Sequence, residues 1–345
     1  MKVTIKDVAE AAGVSAMTVS TVLHGSGSNV RFSEETAERI RALAKELHYQ
    51  PNYVARSLRL KRTNTVGVVF QHFDRLSEDN PYYPKLLNGV MSALFPESYT
   101  LALCPSLVQG DNPHSIWDGR FDGVLWARPD FSEASLEKFR NSTVPLVMMH
   151  APVGTADGIS SFTADNVGAL EQVIRHLSGL GHEKVTFAVD PVNEHTAEGI
   201  ARVDAFLNAA SEAKIESRVW FWDERTRTLD EFLSRNRDCT AIACFSDTIA
   251  GHLLTGCKEL GIQIPRDLSV IGFDSTTFCE RTTPRLTSVH QSVEQMAYDA
   301  TKHLLDLIKA RREGEILSLP ISSTYACSLD VRDSTAPPSK KKITK

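Results

Sequence analysis

Apolar residues at Ile5, Val8, Ala9 and Ala12 recur at the three-and-four spacing of one helical face, and Val19, Val22 and Leu23 resume it after a break at Gly13. The pattern predicts a helix over 5–12 capped by Thr4, with Asp7 placed to return a hydrogen bond to the first turn. Gly13 permits a left-handed turn, and Ser15 caps a second helix. After a small-residue, polar loop at 24–32, Ser33 caps a third helix whose first turn carries Glu34 and Glu35, favourable against the helix dipole. Ile40, Leu43, Ala44 and Leu47 share one face and close a three-helix core. Pro51 and Asn52 break the chain, residues 53–59 read as one further short helix, and strand-like sequence begins only after Thr63.

From Thr65 onward, short β-branched runs alternate with helical patterns, as in a parallel sheet with crossover helices. A first lobe is expected to have strands at 65–70, 100–103, 123–127 and 146–149 and helices at 83–94 and 133–141. A second has strands at 184–189, 218–221, 241–244 and 268–271 and helices at 167–180, 200–213 and 248–260. A long helix at 292–309 returns the chain toward the first lobe. The fold class is an all-α head (helix-turn-helix, three helices, plus a hinge helix) followed by an α/β two-lobed domain with parallel sheets. The expected boundaries are 1–50 for the head, 51–62 for the hinge, 63–335 for the body, and 336–345 for a disordered basic tail.

Charge sharpens this division. Residues 1–62 carry ten Lys or Arg against six Asp or Glu, whereas the remainder carries 28 against 37. The net charge of −5 thus hides a basic head on an acidic body, which suits phosphate contact by the head alone. A helix-turn-helix lays its second helix in the DNA major groove, so the outward Ala16, Met17, Ser20 and Thr21 face base edges; a plain helical hairpin is the alternative. The absence of an 18-residue apolar run or a signal peptide predicts a cytoplasmic, nucleoid-associated protein with no membrane partner. The six cysteines form no C-x-x-C pair and read as reduced thiols. No phosphate-binding loop, zinc motif or nucleophile elbow occurs, so neither cofactor, metal nor catalysis is expected. His182, after the glycine stop at Gly181, reads as a cation at a helix C-terminus.

The run T-I-K-D-V-A-E-A-A-G-V-S-A-M-T-V-S from Thr4, followed some thirty residues later by H-Y-Q-P-N-Y-V-A-R-S-L, resembles the LacI/GalR family of bacterial transcriptional regulators over nearly the whole chain. The resemblance implies DNA contacts at Thr4, Ser15, Ala16, Met17, Thr18, Ser20, Thr21 and His24. It implies others on the hinge at Asn52, Tyr53, Ala55, Arg56 and Leu58. Leu58 matches the family's lever leucine, which wedges into the minor groove and kinks the duplex. A helix of about seven residues is below the ~12 needed for stability in water, so the hinge should order only when two copies pair on DNA. Family members usually carry Arg where this chain has Thr21 and Asn where it has His24. Arg grips guanine O6 and N7 with two hydrogen bonds and Thr cannot, so the preferred half-site should differ from the common one.

The body resembles the periplasmic sugar-binding clamshell, in which ligand sits at the carboxyl ends of the strands, between lobes. Effector contacts are implied at Tyr82, Tyr83, Arg202, Trp222, Ser246, Asp247 and Asp274, with Ser246 replacing the family's usual asparagine. One of Trp220 and Trp222 is expected to be ordinary core. Asp165 and Asn166 read as a structural cap. Arg and Asp with aromatic faces suit a polyhydroxylated ligand. The expected protein is a dimeric repressor bound to a near-palindromic double-stranded operator and controlled by a small metabolite, a sugar or sugar derivative. The rivals are a transport solute-binding protein and a sugar enzyme using Asp247 and Asp274 as paired carboxylates.

Overall fold

Thr4 opens α1 (Ile5–Ala12) by donating its amide and hydroxyl to Asp7 Oδ2, at 2.7 and 2.9 Å, and Gly13 closes it at φ 64. A computed structural model describes residues 3–24, 31–50, 57, 62–70, 82–104, 118–127, 133–223, 228–315 and 319–339. Ser15 Oγ accepts the Thr18 amide at 3.1 Å and starts α2 (Ala16–His24), and Ser33 caps α3 (Glu34–Glu46). Val8, Ala9, Ala12, Val19, Ile40 and Ala44 form the core of this head. The chain divides into two compact units, Met1–Thr63 and Asn64–Lys345. Residues 51–56 and 58–61 lie outside the described residues, and with them the hinge positions Asn52, Tyr53, Ala55, Arg56 and Leu58.

The second unit holds two six-stranded sheets. The first, ordered β11-β5-β4-β3-β1-β2, is parallel throughout and comprises β1 (Thr65–Phe70), β2 (Thr100–Leu103), β3 (Gly123–Ala127), β4 (Leu146–Met149), β5 (Ser160–Ala164) and β11 (Ser322–Tyr325). Its helices are α4 (Tyr82–Leu94) and α5 (Glu133–Arg140). The second sheet, ordered β12-β10-β9-β8-β6-β7, comprises β6 (Lys184–Val189), β7 (Glu216–Phe221), β8 (Ala241–Cys244), β9 (Ser269–Asp274), β10 (Thr287–His290) and β12 (Ser328–Asp330), of which only β12 runs antiparallel to its neighbour. Around it lie α6 (Asn166–Gly179), α7 (Ala197–Glu212), α8 (Leu229–Arg235), α9 (Asp247–Glu259) and the short α10 (Phe278–Arg281). The chain crosses between lobes after β5, after β10 and between β11 and β12.

The last long helix, α11 (Val293–Glu313), does return to the first lobe, where Val293, Met296, Ala297, Ala300 and Leu304 share a core with Val66, Phe70, Leu86 and Val90. Gly89 lets α4 and α11 touch: a Cβ there would fall 2.1 Å from the Glu294 carbonyl oxygen. Strands β5, β10, β11 and β12 were not foreseen. β5 reads S-S-F-T-A and β11 S-S-T-Y, so the apolar pattern that marks a strand is missing, although β5 is buried along its whole length.

Two expectations are corrected. His182 is no surface cation. It is buried, contacts Thr240 Oγ1 at 2.8 Å and Ala336 O at 3.0 Å, and burial lowers its pKa. Residue 336, expected to open the tail, is instead tied to the body: the Ala336 amide donates to Ser269 Oγ at 3.1 Å and its carbonyl accepts from His182. Among the described residues no helix is long and apolar enough to cross a membrane.

Candidate functional site

On the head, α2 presents Met17 at 64% exposure, with Thr18 and Thr21 half-buried beside it. Ala16 leans partly on the core, and His24 stands 6.5 Å from the Tyr49 ring. The Thr21 hydroxyl donates back to Met17 O at 2.9 Å, a local bond that β-hydroxyls make within helices. Thr4 and Ser15 are exposed at the starts of α1 and α2, where amides and hydroxyls gather. Ser20 is a correction: at 1% exposure it belongs to the packed side of α2, as the 100° step from Val19 dictates, and it cannot reach a base edge from there.

In the body, the carboxyl ends of the strands and the start of α4 bring a set of polar groups together between the lobes. Arg202 on α7 is 3% exposed. Its Nε donates to Asn166 Oδ1 at 3.0 Å, one Nη to Phe245 O at 2.7 Å, and the other to Glu198 Oε1 at 3.0 Å. The guanidinium lies 3.7 Å from the Phe273 ring centroid and 4.4 Å from that of Phe245, so its faces are stacked and its edge is bonded. Burial pushes the Glu198 carboxyl up, and Arg202 pulls it down.

Across from this pair, the Tyr82 hydroxyl at the start of α4 is hydrogen-bonded to His150 Nε2, just past β4. Burial, helped by the Arg202 charge, drives the imidazole down to about 3, so His150 is neutral. Burial, reinforced by the Asp274 carboxyl, holds the Tyr82 phenol well above its ordinary value. Tyr83 packs edge-on against Tyr82 and Phe70, each at 5.5 Å. Lys85, one turn on, donates to Ser275 O of the opposite lobe at 3.3 Å.

Asp274 ends β9 at φ 113, buried, with Oδ1 accepting from Gln291 Nε2 at 2.5 Å. Burial and then the neighbouring Asp247 push its pKa up to about 8. Asp274, Arg202, Tyr82 and Tyr83 therefore do converge. Trp222 is half-buried at the end of β7 beside His252, at 5.2 Å, while Trp220 is the core member, stacked on Phe232 at 4.4 Å.

Asp247 and Ser246 are corrected. Asp247 Oδ1 accepts from Ser288 Oγ at 2.5 Å, and Oδ2 accepts from the Thr276 amide and hydroxyl at 2.9 and 3.0 Å and from Cys279 Sγ at 3.1 Å. A carboxylate so engaged within its own lobe ties the β9–α10 loop to α9 and has little capacity left for a ligand or a reaction. Ser246 Oγ caps α9 by accepting the Ile249 amide.

Sequence reasoning missed Glu198, His150, Lys85 and Gln291, and gave Asn166 only a capping role that in fact belongs to Asp165, which accepts the Gly168 amide at 3.0 Å. Glu198 was readable as the i−4 partner of Arg202, and His150 as the residue past a strand end. Gln291 carried no signal, because β10 before it was not foreseen.

A helical head that packs a helix-turn-helix, joined to a two-lobed α/β body with a polar cluster between its lobes, is the architecture of a DNA-binding regulator with its own small-molecule sensor. Residues 4–52 match the profile of the bacterial regulatory proteins of the lacI family, and residues 174–335 match a periplasmic binding protein-like domain. The chain is 33% identical over 325 residues, 90% of its length and 92% of the relative's, to the HTH-type transcriptional repressor PurR of Serratia proteamaculans (strain 568). It is 31% identical over the same shares to PurR of Proteus mirabilis (strain HI4320).

Among solved structures, a transcriptional regulator CelR–cellobiose complex aligns at TM-score 0.69 and 26% identity, covering 96% of this chain and all of that one. The lac repressor dimer bound to operator and the anti-inducer ONPF shares the fold at TM-score 0.76 and 21% identity, over 97% and 100% of the two chains. The protein belongs to the LacI family of bacterial transcriptional regulators. It is a DNA-binding regulator and neither a transport protein nor an enzyme.

Proposed function

We propose that the protein acts as a homodimeric repressor on a near-palindromic operator in the cytoplasm, and that a sugar or sugar derivative bound between the lobes of the body sets its affinity for DNA. The observation that carries the ligand half of this reading is the cluster of buried Arg202, Glu198, His150 and Asp274 with half-buried Tyr82, drawn from both lobes and from strand ends. A group of polar side chains that spans two lobes is sensitive to their relative position. A ligand that bonds to both sides therefore prefers one arrangement, and only such a difference in affinity can shift an equilibrium. CelR with cellobiose and an Enterococcus faecium LacI-family regulator with ribose, which share this fold, support the carbohydrate class.

For the DNA half, Ala16, Met17, Thr18, Thr21 and His24 of α2 supply base-edge contacts, while Thr4 and Ser15 address phosphate at the helix starts. Asn52, Tyr53, Ala55, Arg56 and Leu58 are assigned to the hinge. Two copies are required because a two-fold protein reads a two-fold site.

Selection of the full chain on random duplexes, followed by anisotropy titration with and without sugars, tests both halves. The expected result is a two-fold-symmetric site whose Kd changes by about 5- to 150-fold with ligand. A selected site without symmetry would defeat the dimer reading, and a Kd indifferent to every ligand that the body binds would defeat the switch.

A further inference from the structure

The chain passes from the head unit into the body at Asn64, one residue before β1, and Asn64 stands there at φ 45. Asparagine is among the few residues with a side chain that take this left-handed conformation readily. Its amide donates to Asp122 Oδ2 at 2.8 Å, and its carbonyl accepts from the Thr100 amide at 2.7 Å. Asp122 immediately precedes β3, and its side chain is 7% exposed. The same Oδ2 accepts from Arg312 Nη2 at 2.5 Å, out of the last turn of α11. The Arg312 guanidinium also lies 5.6 Å from the ring centroid of Tyr99, the neighbour of Thr100.

The Asp122 carboxylate is itself held in place. α11 sits directly on β3, where a Cβ on Gly123 would fall 2.7 Å from Ile308 Cδ1 and 3.0 Å from Leu304 Cδ1. Ile308 and Arg312 are four residues apart and share a face of the helix, so the packing that seats Ile308 also delivers Arg312 to Asp122. The sheet does not require this arrangement. Pairing of β1 with β2 begins at Thr65 and with β3 at Val66, both after Asn64. What Asp122 adds therefore falls on the residue just outside the ladder, and it fixes the direction in which the chain leaves the body. An ion pair whose arginine is 31% exposed contributes little stability of its own, so its use is geometric.

We propose that Asp122 and Arg312 are positioning residues for operator recognition: they clamp Asn64 and so set the separation and orientation at which the two linkers of a dimer deliver their heads to DNA. They act through residue 64 and not by touching a base. This rests on the two-fold reading above. The effect falls on register rather than on affinity. Inserting or removing one base pair between half-sites moves one of them by about 3.4 Å along the duplex and turns it by about 35°. A rigid junction resists that change, and a loosened one follows it. A protein that is merely less stable loses affinity for every spacing alike.

Anisotropy titration of the full-length chain reads this on three duplexes: the site selected by the parent, and the same site with one base pair inserted or removed at its centre. The parent is expected to prefer the selected spacing by about tenfold or more. Asp122→Ala should lower that preference to about threefold or less, and Arg312→Met should lower it in the same direction. Arg312→Lys, which keeps the charge, should retain most of it. Affinity for a random duplex, which depends on the basic head, should change by less than about twofold in every variant.

Circular dichroism establishes which variants fold; if Asp122→Ala does not, Arg312→Met decides, because its side chain is partly exposed. Folded variants that keep the parent's preference, or a parent indifferent to spacing on a symmetric site, overturn the inference and leave the two-fold reading standing. A selected site without symmetry overturns that reading instead, and the inference with it.

Discussion

Glu198 and Arg202 lie one helical turn apart on α7, their charges meet at 3.0 Å, and their side chains are 3% and 4% exposed. An ion pair this deep does not add stability simply because it is paired, since removing two charges from water costs several kcal/mol per ion. The sensitive case is the loss of one partner. Arg202→Met strips Glu198 of its counter-charge and breaks the bonds to Asn166 and Phe245, so unfolding in denaturant should report a loss of about 3–5 kcal/mol. The double variant Glu198→Leu/Arg202→Met should recover much of it. A single Arg202→Met as stable as the parent would show that water already reaches the pair.

Asp274 should make the protein less stable as pH rises. Its folded pKa is about 8, against 3.8 for a free aspartate carboxyl, so between those limits the folded state binds more proton than the unfolded one. Stability from this group is complete below the unfolded value and is lost as pH climbs through the folded one, at up to about 1.4 kcal/mol per unit. Asp274→Asn, which accommodates the positive φ, should flatten the fall in unfolding free energy between pH 5 and 8. A slope unchanged in this variant would assign the effect elsewhere.

His150 has the opposite sign. Its folded value near 3 lies below the 6.5 of a free imidazole, so the stability it contributes is present above pH 6.5 and drains away as pH falls toward 3. His150→Gln should therefore lose less stability than the parent between pH 6.5 and 4.5, measured by thermal midpoint in a pH series.

Thr21 points to an altered half-site. Its hydroxyl is turned to Met17 O, and its side chain lacks the two-donor fork that reads guanine. Thr21→Arg should shift duplex selection toward guanine at one position in each half-site, with about 1–3 kcal/mol of discrimination there. Recovery of the same site by both proteins would mean that residue 21 does not reach a base.

The head was largely legible because its signals are local. Thr4 with Asp7, Gly13 at φ 64, and Ser15 and Ser33 as caps act within one turn of where they stand, and each appears where the spacing put it. The alternation of strands and helices in the body was equally readable wherever strands are apolar, as in T-V-G-V-V-F. It failed at β5 and β11, whose Ser and Thr residues are accommodated by neighbours far along the chain, such as Ser161 Oγ donating to Ser322 Oγ at 3.2 Å.

Residue identity in the cleft was the least legible. The sequence by itself, through its resemblance to the LacI/GalR family and the ends of its strands, determined that an arginine and an aspartate would stand at positions facing between two lobes. Only the tertiary structure decided what those residues are free to do. Arg202 is consumed by Asn166, Phe245 and Glu198, and Asp247 by Ser288, Thr276 and Cys279, while Gln291 reaches Asp274 over 17 positions of chain. A hydrogen-bonding group serves whichever partner the fold brings within about 3 Å, and apart from the one-turn pair Glu198–Arg202 those partners are set by how strands and helices distant in the chain pack together, which no run of neighbouring residues records.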